Sequence, residues 1–399
     1  MRPFPASKRA LGIEYAIRDV VLPARELEKK GIKVLKFNIG DPCAYDFDTP
    51  HHMKEALREA AEKGYNGYTE SEGVMELRQA ICEREKRKNN LALTVSDICV
   101  TTGVTESIQM VFASILSPGD EVLIPGPSYP PYASLATFLG GNPVEYPTDE
   151  EKEWAPDVRA MAKKITKKTR AICIINPNNP TGALYPRKTL EEITNLAAQH
   201  KLIVISDEIY DMMTYDETQF SPSFAKDVPM ILFNGISKIY LSPGWRIGWI
   251  MIRDVDERLS QIKEGILRQA RLRLSANSIC QRAAVAALNG PQDHIPSTMK
   301  RLRERRDFAY KRFNEIEGLS SRKPQGAFYI FPKIESKKWK TDKDFVLDVL
   351  NEAHVLFVHG SGFSRKYGKM HFRSVILPSL PIMEGAFGAL ETFMKKRTA

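Results

Sequence analysis

The sequence predicts an α/β protein, with a mostly parallel sheet covered by helices and a smaller α+β part beside it. Three observations carry that expectation. Short apolar runs rich in β-branched residues recur between amphipathic stretches of helical length, as buried parallel strands do. Each run ends in polar or turn-forming residues. After about residue 290 the texture changes to a long charged stretch, strand-like runs and a closing helix, the order of an α+β unit.

Taken in order, Ile13 to Lys30 has helical spacing, and Leu35 to Ile39 reads as a short strand ending at the turn cluster Gly40-Asp41-Pro42. The runs expected to build the main sheet are Ile98–Thr101, Glu121–Ile124, Ala171–Ile175, Leu202–Ile205 and Met230–Phe233. They end in Thr102-Gly103, Pro125 to Tyr129, Asn176 to Pro180, Ser206 to Glu208, and Asn234 to Lys238. Open α/β sheets bind ligands beyond the carboxyl ends of their strands, so these ends are expected to face one site. Further on, Pro296 to Ile316 reads as a helix, and Gly326–Phe331, Val355–Val358 and His371–Leu377 as strands. The expected division is a large domain over residues 49–290 and a small one made of residues 1–48 and 291–399.

Composition narrows the function. With 43% apolar and 27% charged residues in 399, the chain has the make-up of a globular protein, not of a disordered or fibrous one. The net charge is +9, but the basic residues are mixed with acids, as in Arg25 to Lys36 and Lys300 to Arg312. Such mixing reads as solvated helix faces, so no nucleic-acid partner is expected. Five widely spaced cysteines without a C-x-x-C, and histidines whose one adjacent pair is His51-His52, give no disulfide framework and no metal site. No secretory h-region follows the first residues and no run approaches the ~18 apolar residues of a span, so no membrane partner and a cytoplasmic location are expected.

The chemistry gathers around Lys238. A lysine just past an apolar strand is, by itself, an ordinary surface charge. Its neighbours change the reading: Arg246 follows within Ser242 to Trp249, the preceding strand ends in Asp207, and the one before it ends in Asn176 to Gly182. A buried lysine lowers its pKa and attacks carbonyls as a neutral amine, and an arginine suits a phosphate. In that order, Asn176–Gly182, Ser206–Tyr210 and Ser237–Gly248 resemble the class I/II aminotransferases of the aspartate aminotransferase fold, fold type I among pyridoxal-phosphate enzymes. The resemblance runs from about Leu35 to Leu390. Ala10 to Lys36, Arg271 to Asn277 and Val355 to Gly362 resemble the archaeal and bacterial alanine aminotransferase branch.

The resemblance implies a seven-stranded, mostly parallel sheet between helices, pyridoxal 5′-phosphate as cofactor, and a set of roles. Lys238 resembles the lysine that carries the cofactor covalently and then serves as the base for a 1,3-proton shift. Asp207 resembles the partner of the pyridine nitrogen, where by itself it would read as a helix cap. Tyr210 and Asn179 resemble the pair that hydrogen-bonds the cofactor's 3′-oxygen, with Asn179-Pro180 often cis. Val104 and Thr105 at a helix start, with Ser237 and Arg246, resemble the phosphate cradle. Many relatives carry a serine three residues before the lysine; this chain has Gly235, which removes one expected phosphate contact. Tyr129 resembles the aromatic ring stacked on the cofactor. Tyr68 resembles the tyrosine that reaches the neighbouring subunit's phosphate, which implies a homodimer. Arg373 resembles the fork that grips the substrate α-carboxylate, with Gly40 lining the same pocket.

Tyr15 and Arg18 lie three apart on the N-terminal helical segment and so share a face. In this fold the segment closes over the mouth of the site, which makes them candidates for the distal carboxylate of 2-oxoglutarate. The expected reaction is ping-pong transfer of an amino group from an amino acid, with L-alanine the leading donor, to 2-oxoglutarate. The alternative keeps the cofactor and changes the chemistry: an aromatic, aspartate or kynurenine-type aminotransferase, or a C–S lyase. A nicotinamide dehydrogenase is disfavoured because Gly360-Ser361-Gly362 is followed by Phe363-Ser364-Arg365 with no third glycine. A ligand-sensing DNA regulator is disfavoured because the resemblance starts within the first forty or so residues.

Overall fold

The computed structural model describes residues 4–13, 16 and 20–398. Its centre is an eight-stranded sheet. In chain order the strands are β2 (Ile98–Thr101), β3 (Glu121–Gly126), β4 (Asn142–Asp149), β5 (Ala155–Pro156), β6 (Thr169–Ile175), β7 (Ile203–Asp207), β8 (Met230–Gly235) and β9 (Gly248–Arg253), with β1 (Leu35–Lys36) lying outside the sheet. The spatial order is β2-β9-β8-β7-β6-β3-β4-β5. β4, β3, β6, β7 and β8 pair in parallel, while β9 is antiparallel to both β8 and β2.

All the expected runs are strands of this sheet, with two corrections. Ile98–Thr101 has no parallel neighbour, because β9 intervenes and turns the ladder antiparallel on both sides. The sheet has eight strands where seven were expected; the extra one is the two-residue β5, paired antiparallel to the end of β4.

The strands are apolar on both faces because both faces are covered. In β6, Ile172 and Ile174 join one buried cluster while Ala171, Cys173 and Ile175 join the other. Val204 and Ile205 of β7 part in the same way. One face is packed by Ile108, Val111 and Phe112 of helix Val104–Ile115 and by Ile266 of helix Ser260–Arg273. The other receives Leu190 and Ile193 of helix Arg187–Gln199.

The remaining strands are short: β10 (Leu319–Ser320), β11 (Tyr329–Ile330), β12 (Lys333–Ile334), β13 (Val355–Leu356), β14 (Val358–His359) and β15 (Phe372–Val375). The run expected as one strand over Val355–Val358 is split. β13 pairs in parallel with β1, and β14 pairs antiparallel with β15, so the chain changes partner at Phe357. β15 also pairs with β11, and this three-stranded ladder presents Tyr329 and Arg373. Helix His294–Glu315 matches the expected one within two residues at its start. Within the N-terminal helical segment the described residues include the helix Val21–Lys29. Tyr15 and Arg18 lie outside the described residues. Among the described residues no helix is long and apolar enough to cross a membrane, and no group of three or more His, Cys, Asp or Glu is arranged to hold a metal.

Candidate active site

A cavity of about 200 Å³ opens beyond the carboxyl ends of β6, β7 and β8, where the strand endings were expected to converge. Ile175 and Asp207 close its floor. Val104 and Thr105 reach it from the start of helix Val104–Ile115, and Ser237, Lys238 and Arg246 from the segment between β8 and β9. Tyr129, Asn179 and Tyr210 line it as well, and Gly40, Tyr329 and Arg373 close the side toward the small sheets.

Lys238 stands in the middle. Its Nζ donates to the Gly40 carbonyl at 2.9 Å and lies 5.5 Å from the centre of the Phe328 ring and 6.0 Å from that of Tyr210. Burial lowers its pKa to about 8; Asp41 and Asp207 oppose the shift, while the positive charges of Arg373 and Arg246 add to it. At neutral pH a useful share of the amine is therefore unprotonated. Gly40 sits so close to the aromatic wall that a Cβ there would collide with the Tyr329 hydroxyl and come within 2.8 Å of Phe328.

Asp207, 3% exposed, accepts from the Tyr132 hydroxyl at 2.9 Å and from the Ile209 N–H at 3.2 Å. Burial pushes its carboxyl up to about 6, against those two hydrogen bonds and the charge of Lys238. A buried carboxylate without a full cationic partner is poised to take one. Tyr210 is buried, its ionisation disfavoured by that burial, and its hydroxyl is 2.8 Å from the Tyr329 hydroxyl.

At the opposite end the chain gathers donors. The N–H groups of Val104 and Thr105 precede the first helical hydrogen bond and have no partner within the helix. Gly103 caps that helix with φ +87°, and a Cβ there would strike the Arg246 guanidinium. Arg246 is steadied by the Pro243 carbonyl (2.9 Å) and the Thr102 carbonyl (3.1 Å). The acid of the first turn, Glu106, is spent elsewhere, on the Thr102 N–H and on Arg273 at 2.7 Å each. Helix dipole, hydroxyl and guanidinium thus meet with no carboxylate among the cavity residues there, which suits a dianion.

Arg373 is buried, with its guanidinium 4.6 Å from the Tyr329 ring centre and 4.8 Å from that of Phe363. Nη1 donates to Asn179 Oδ1 at 3.0 Å and Nη2 to the Asn38 carbonyl, while Nε has no hydrogen-bond partner. A buried N–H left without an acceptor beside a cavity is a place for a ligand's carboxylate.

Amine, buried acid, phenol and anion cradle, in that arrangement around one cavity, fit pyridoxal 5′-phosphate. The expected residues Gly40, Val104, Thr105, Tyr129, Asn179, Asp207, Tyr210, Ser237, Lys238, Arg246 and Arg373 all line the cavity, and Asn179-Pro180 is cis. Tyr68 does not: it is 83% exposed and borders a separate surface depression with Tyr65 and Arg282. Gly235 is also absent from the cavity wall, and the reason is packing. A Cβ on it would lie 2.7 Å from the Ile247 carbonyl, so the close β8–β9 ladder leaves no room for a serine. Sequence reasoning missed Tyr132 and Tyr329. The first stands one helical turn after Tyr129, and the second lies within a run read only as a strand.

The family model for class I and II aminotransferases matches residues 32–379. Glutamate-pyruvate aminotransferase AlaA of Haemophilus influenzae is 39% identical, the match covering 99% of each chain. Alanine aminotransferase of Mycobacterium tuberculosis is 36% identical over 98% of this chain and 93% of its own. The solved structure of alanine aminotransferase from Pyrococcus furiosus superimposes with a TM-score of 0.97 at 59% identity, covering 98% of this chain and 100% of that one. The chain belongs to the class I and II aminotransferases, enzymes that use pyridoxal 5′-phosphate to act on amino acids and 2-oxoacids.

Proposed function

We propose that this aminotransferase is an alanine transaminase, taking the amino group of L-alanine and passing it to 2-oxoglutarate to give pyruvate and L-glutamate. The observation that carries the reading is the full-length similarity to relatives named glutamate-pyruvate aminotransferase and alanine aminotransferase, joined to the buried Arg373 fork facing the Lys238 cavity.

The same reading assigns the roles. Lys238 would hold the cofactor, Asp207 would partner its ring nitrogen, and Tyr210 and Asn179 would partner its 3′-oxygen. Tyr129 would support the ring, while Val104, Thr105, Ser237 and Arg246 would hold the phosphate. When bound, pyridoxal phosphate supplies a ring that accepts the electrons released at the substrate Cα. The protein's share is positioning and proton transfer. Arg373 holds the α-carboxylate by its planar fork, with Asn179 and Gly40 beside it, and so fixes which Cα bond stands toward Lys238. The neutral Lys238 Nζ would take the Cα proton and deliver it to the carbon two bonds away, a 1,3-shift, and the charge of Asp207 would keep the ring nitrogen protonated. Water would supply the keto oxygen of the departing oxoacid while the amino group stays with the cofactor, and the second oxoacid would enter the same carboxylate fork.

Residues 49–290 are proposed as the large domain, with 1–48 and 291–399 as the small one; the β1–β13 pairing supports joining the two ends of the chain. A cytoplasmic homodimer is proposed, the exposed Tyr68 reaching the partner's phosphate.

The test is an absorbance spectrum of the holoenzyme. L-Alanine is expected to convert its visible band to the amine form, and 2-oxoglutarate to restore it. A band that ignores alanine but answers another amino acid overturns the donor assignment and keeps the class. Arg18 is proposed on sequence grounds to bind the distal carboxylate, with Tyr15 nearby. Arg18→Ala is then expected to raise the KM for 2-oxoglutarate by about tenfold or more while leaving that for alanine near its starting value. An unchanged 2-oxoglutarate KM rejects the assignment.

A further inference from the structure

We propose that Tyr329 is a positioning residue for the reaction: its hydroxyl donates to Tyr210, and so directs the single Tyr210 proton into the cavity. The inference rests on the reading above that Tyr210 serves the cofactor's 3′-oxygen.

The two hydroxyl oxygens are 2.8 Å apart, and both side chains are buried, at 4% and 2% exposure. A phenol has one proton to give and lone pairs to receive with. Within the pair, therefore, one hydroxyl spends its proton on the other. If Tyr210 were the donor, its oxygen would turn only lone pairs toward the cavity and would repel an anionic oxygen placed there. If Tyr329 is the donor, Tyr210 keeps its proton for the cavity side, and each bond in the chain from Tyr329 to Tyr210 to ligand strengthens the next. An anionic oxygen in the cavity selects the second arrangement.

The surroundings hold Tyr210 to that task. Its ring meets Tyr329 nearly edge-on, with centroids 5.7 Å apart at 83°, and meets Phe328 at 5.5 Å and 87°. Boxed by two perpendicular rings, it has little freedom to swing its hydroxyl elsewhere. Burial keeps the Tyr210 hydroxyl protonated. Tyr329 also lies under the Arg373 guanidinium, 4.6 Å from it, so one side chain steadies the carboxylate fork by its ring face and Tyr210 by its hydroxyl. Tyr329→Phe removes the second action and leaves the first.

The experiment uses holoenzyme carrying Tyr329→Phe, Tyr210→Phe or both. It reads the pH midpoint of the visible absorbance change, the KM for L-alanine, and the melting temperature of the cofactor-free chain as a check on folding. A donor on an oxygen favours its anionic form, so removing Tyr210's hydroxyl is expected to raise the midpoint by about one pH unit, and Tyr329→Phe to raise it by about half a unit. In the Tyr210→Phe background the Tyr329 exchange is expected to add nothing, and its alanine KM alone should stay within about twofold. A midpoint unmoved by Tyr329→Phe but moved by Tyr210→Phe overturns the proposal. So does a Tyr329→Phe shift that persists undiminished in the double variant. A midpoint unmoved by Tyr210→Phe overturns the cofactor-side reading of Tyr210, and this proposal falls with it.

Discussion

Lys238→Ala is expected to abolish the holoenzyme's visible band and to lower turnover by about four orders of magnitude, since it removes the amine proposed as both covalent anchor and proton-transferring base. The fold should survive. Among the described residues the amine makes one hydrogen bond, to the Gly40 carbonyl, and its surroundings are otherwise rings and distant charges. Burial is what brings the lysine from 10.5 down to about 8, and two consequences follow. The folded chain releases this proton where the unfolded chain still holds it, between about 8 and 10.5. Burying the ammonium therefore costs stability below about pH 8, and the penalty fades as pH rises through that window. Cofactor-free Lys238→Ala should accordingly melt above the parent at neutral pH, with a margin that shrinks in alkali. Capture of pyridoxal phosphate by the parent chain should quicken about tenfold per unit below pH 8 and level off above it. Stopped-flow absorbance from about pH 6 to about pH 9 checks this, and a rate that keeps climbing through pH 9 without levelling would mean that the amine is not tuned by its burial.

The parts of this molecule that could be read from the sequence are those whose physics is local. β6, β7 and β8 are buried on both faces along most of their length, so Ala171–Ile175, Ile203–Ile205 and Met230–Phe233 are unbroken apolar runs that stand out. β4 hid because Pro143, Glu145 and Pro147 break the apolar pattern; its neighbour β5 is only two residues long, so this side of the sheet is thinly covered. β9 hid inside the motif that drew attention to Arg246, although Gly248 to Arg253 is as apolar as its neighbours. The residues that line the cavity were legible because most follow a strand end by a few positions. What escaped were contacts between distant segments. Tyr132 bonds Asp207 across 75 positions, and Tyr329 bonds Tyr210 across 119. The meaning of Gly235 escaped for the same reason: a sequence does not say that Ile247 will press its carbonyl against that spot.

Asp207→Asn is the second large loss expected, on the order of a hundredfold to ten-thousandfold in kcat. The exchange keeps shape and hydrogen bonding nearly intact. The amide oxygen can still accept one of the two hydrogen bonds that Tyr132 and the Ile209 N–H now make, and the amide nitrogen can donate to the Tyr132 oxygen if that hydroxyl turns. What vanishes is the charge that keeps the ring nitrogen of a bound cofactor protonated. The stability of the cofactor-free chain should move in the opposite direction. Burial raises this carboxyl from 3.8 to about 6, so its contribution is fully present below about 3.8 and is lost as pH rises through 6. Above that point the parent carries a buried anion and the asparagine variant does not. Cofactor-free Asp207→Asn is therefore expected to melt about 2–4 °C or more above the parent at pH 8, the gap closing as the solution is brought toward pH 4. Scanning calorimetry at several pH values, paired with steady-state kinetics of the loaded enzyme, separates the two effects. A variant that loses activity and stability together would mark Asp207 as a structural cap of its turn, since only a carboxylate held there for a cationic partner should weaken the empty protein while serving the full one.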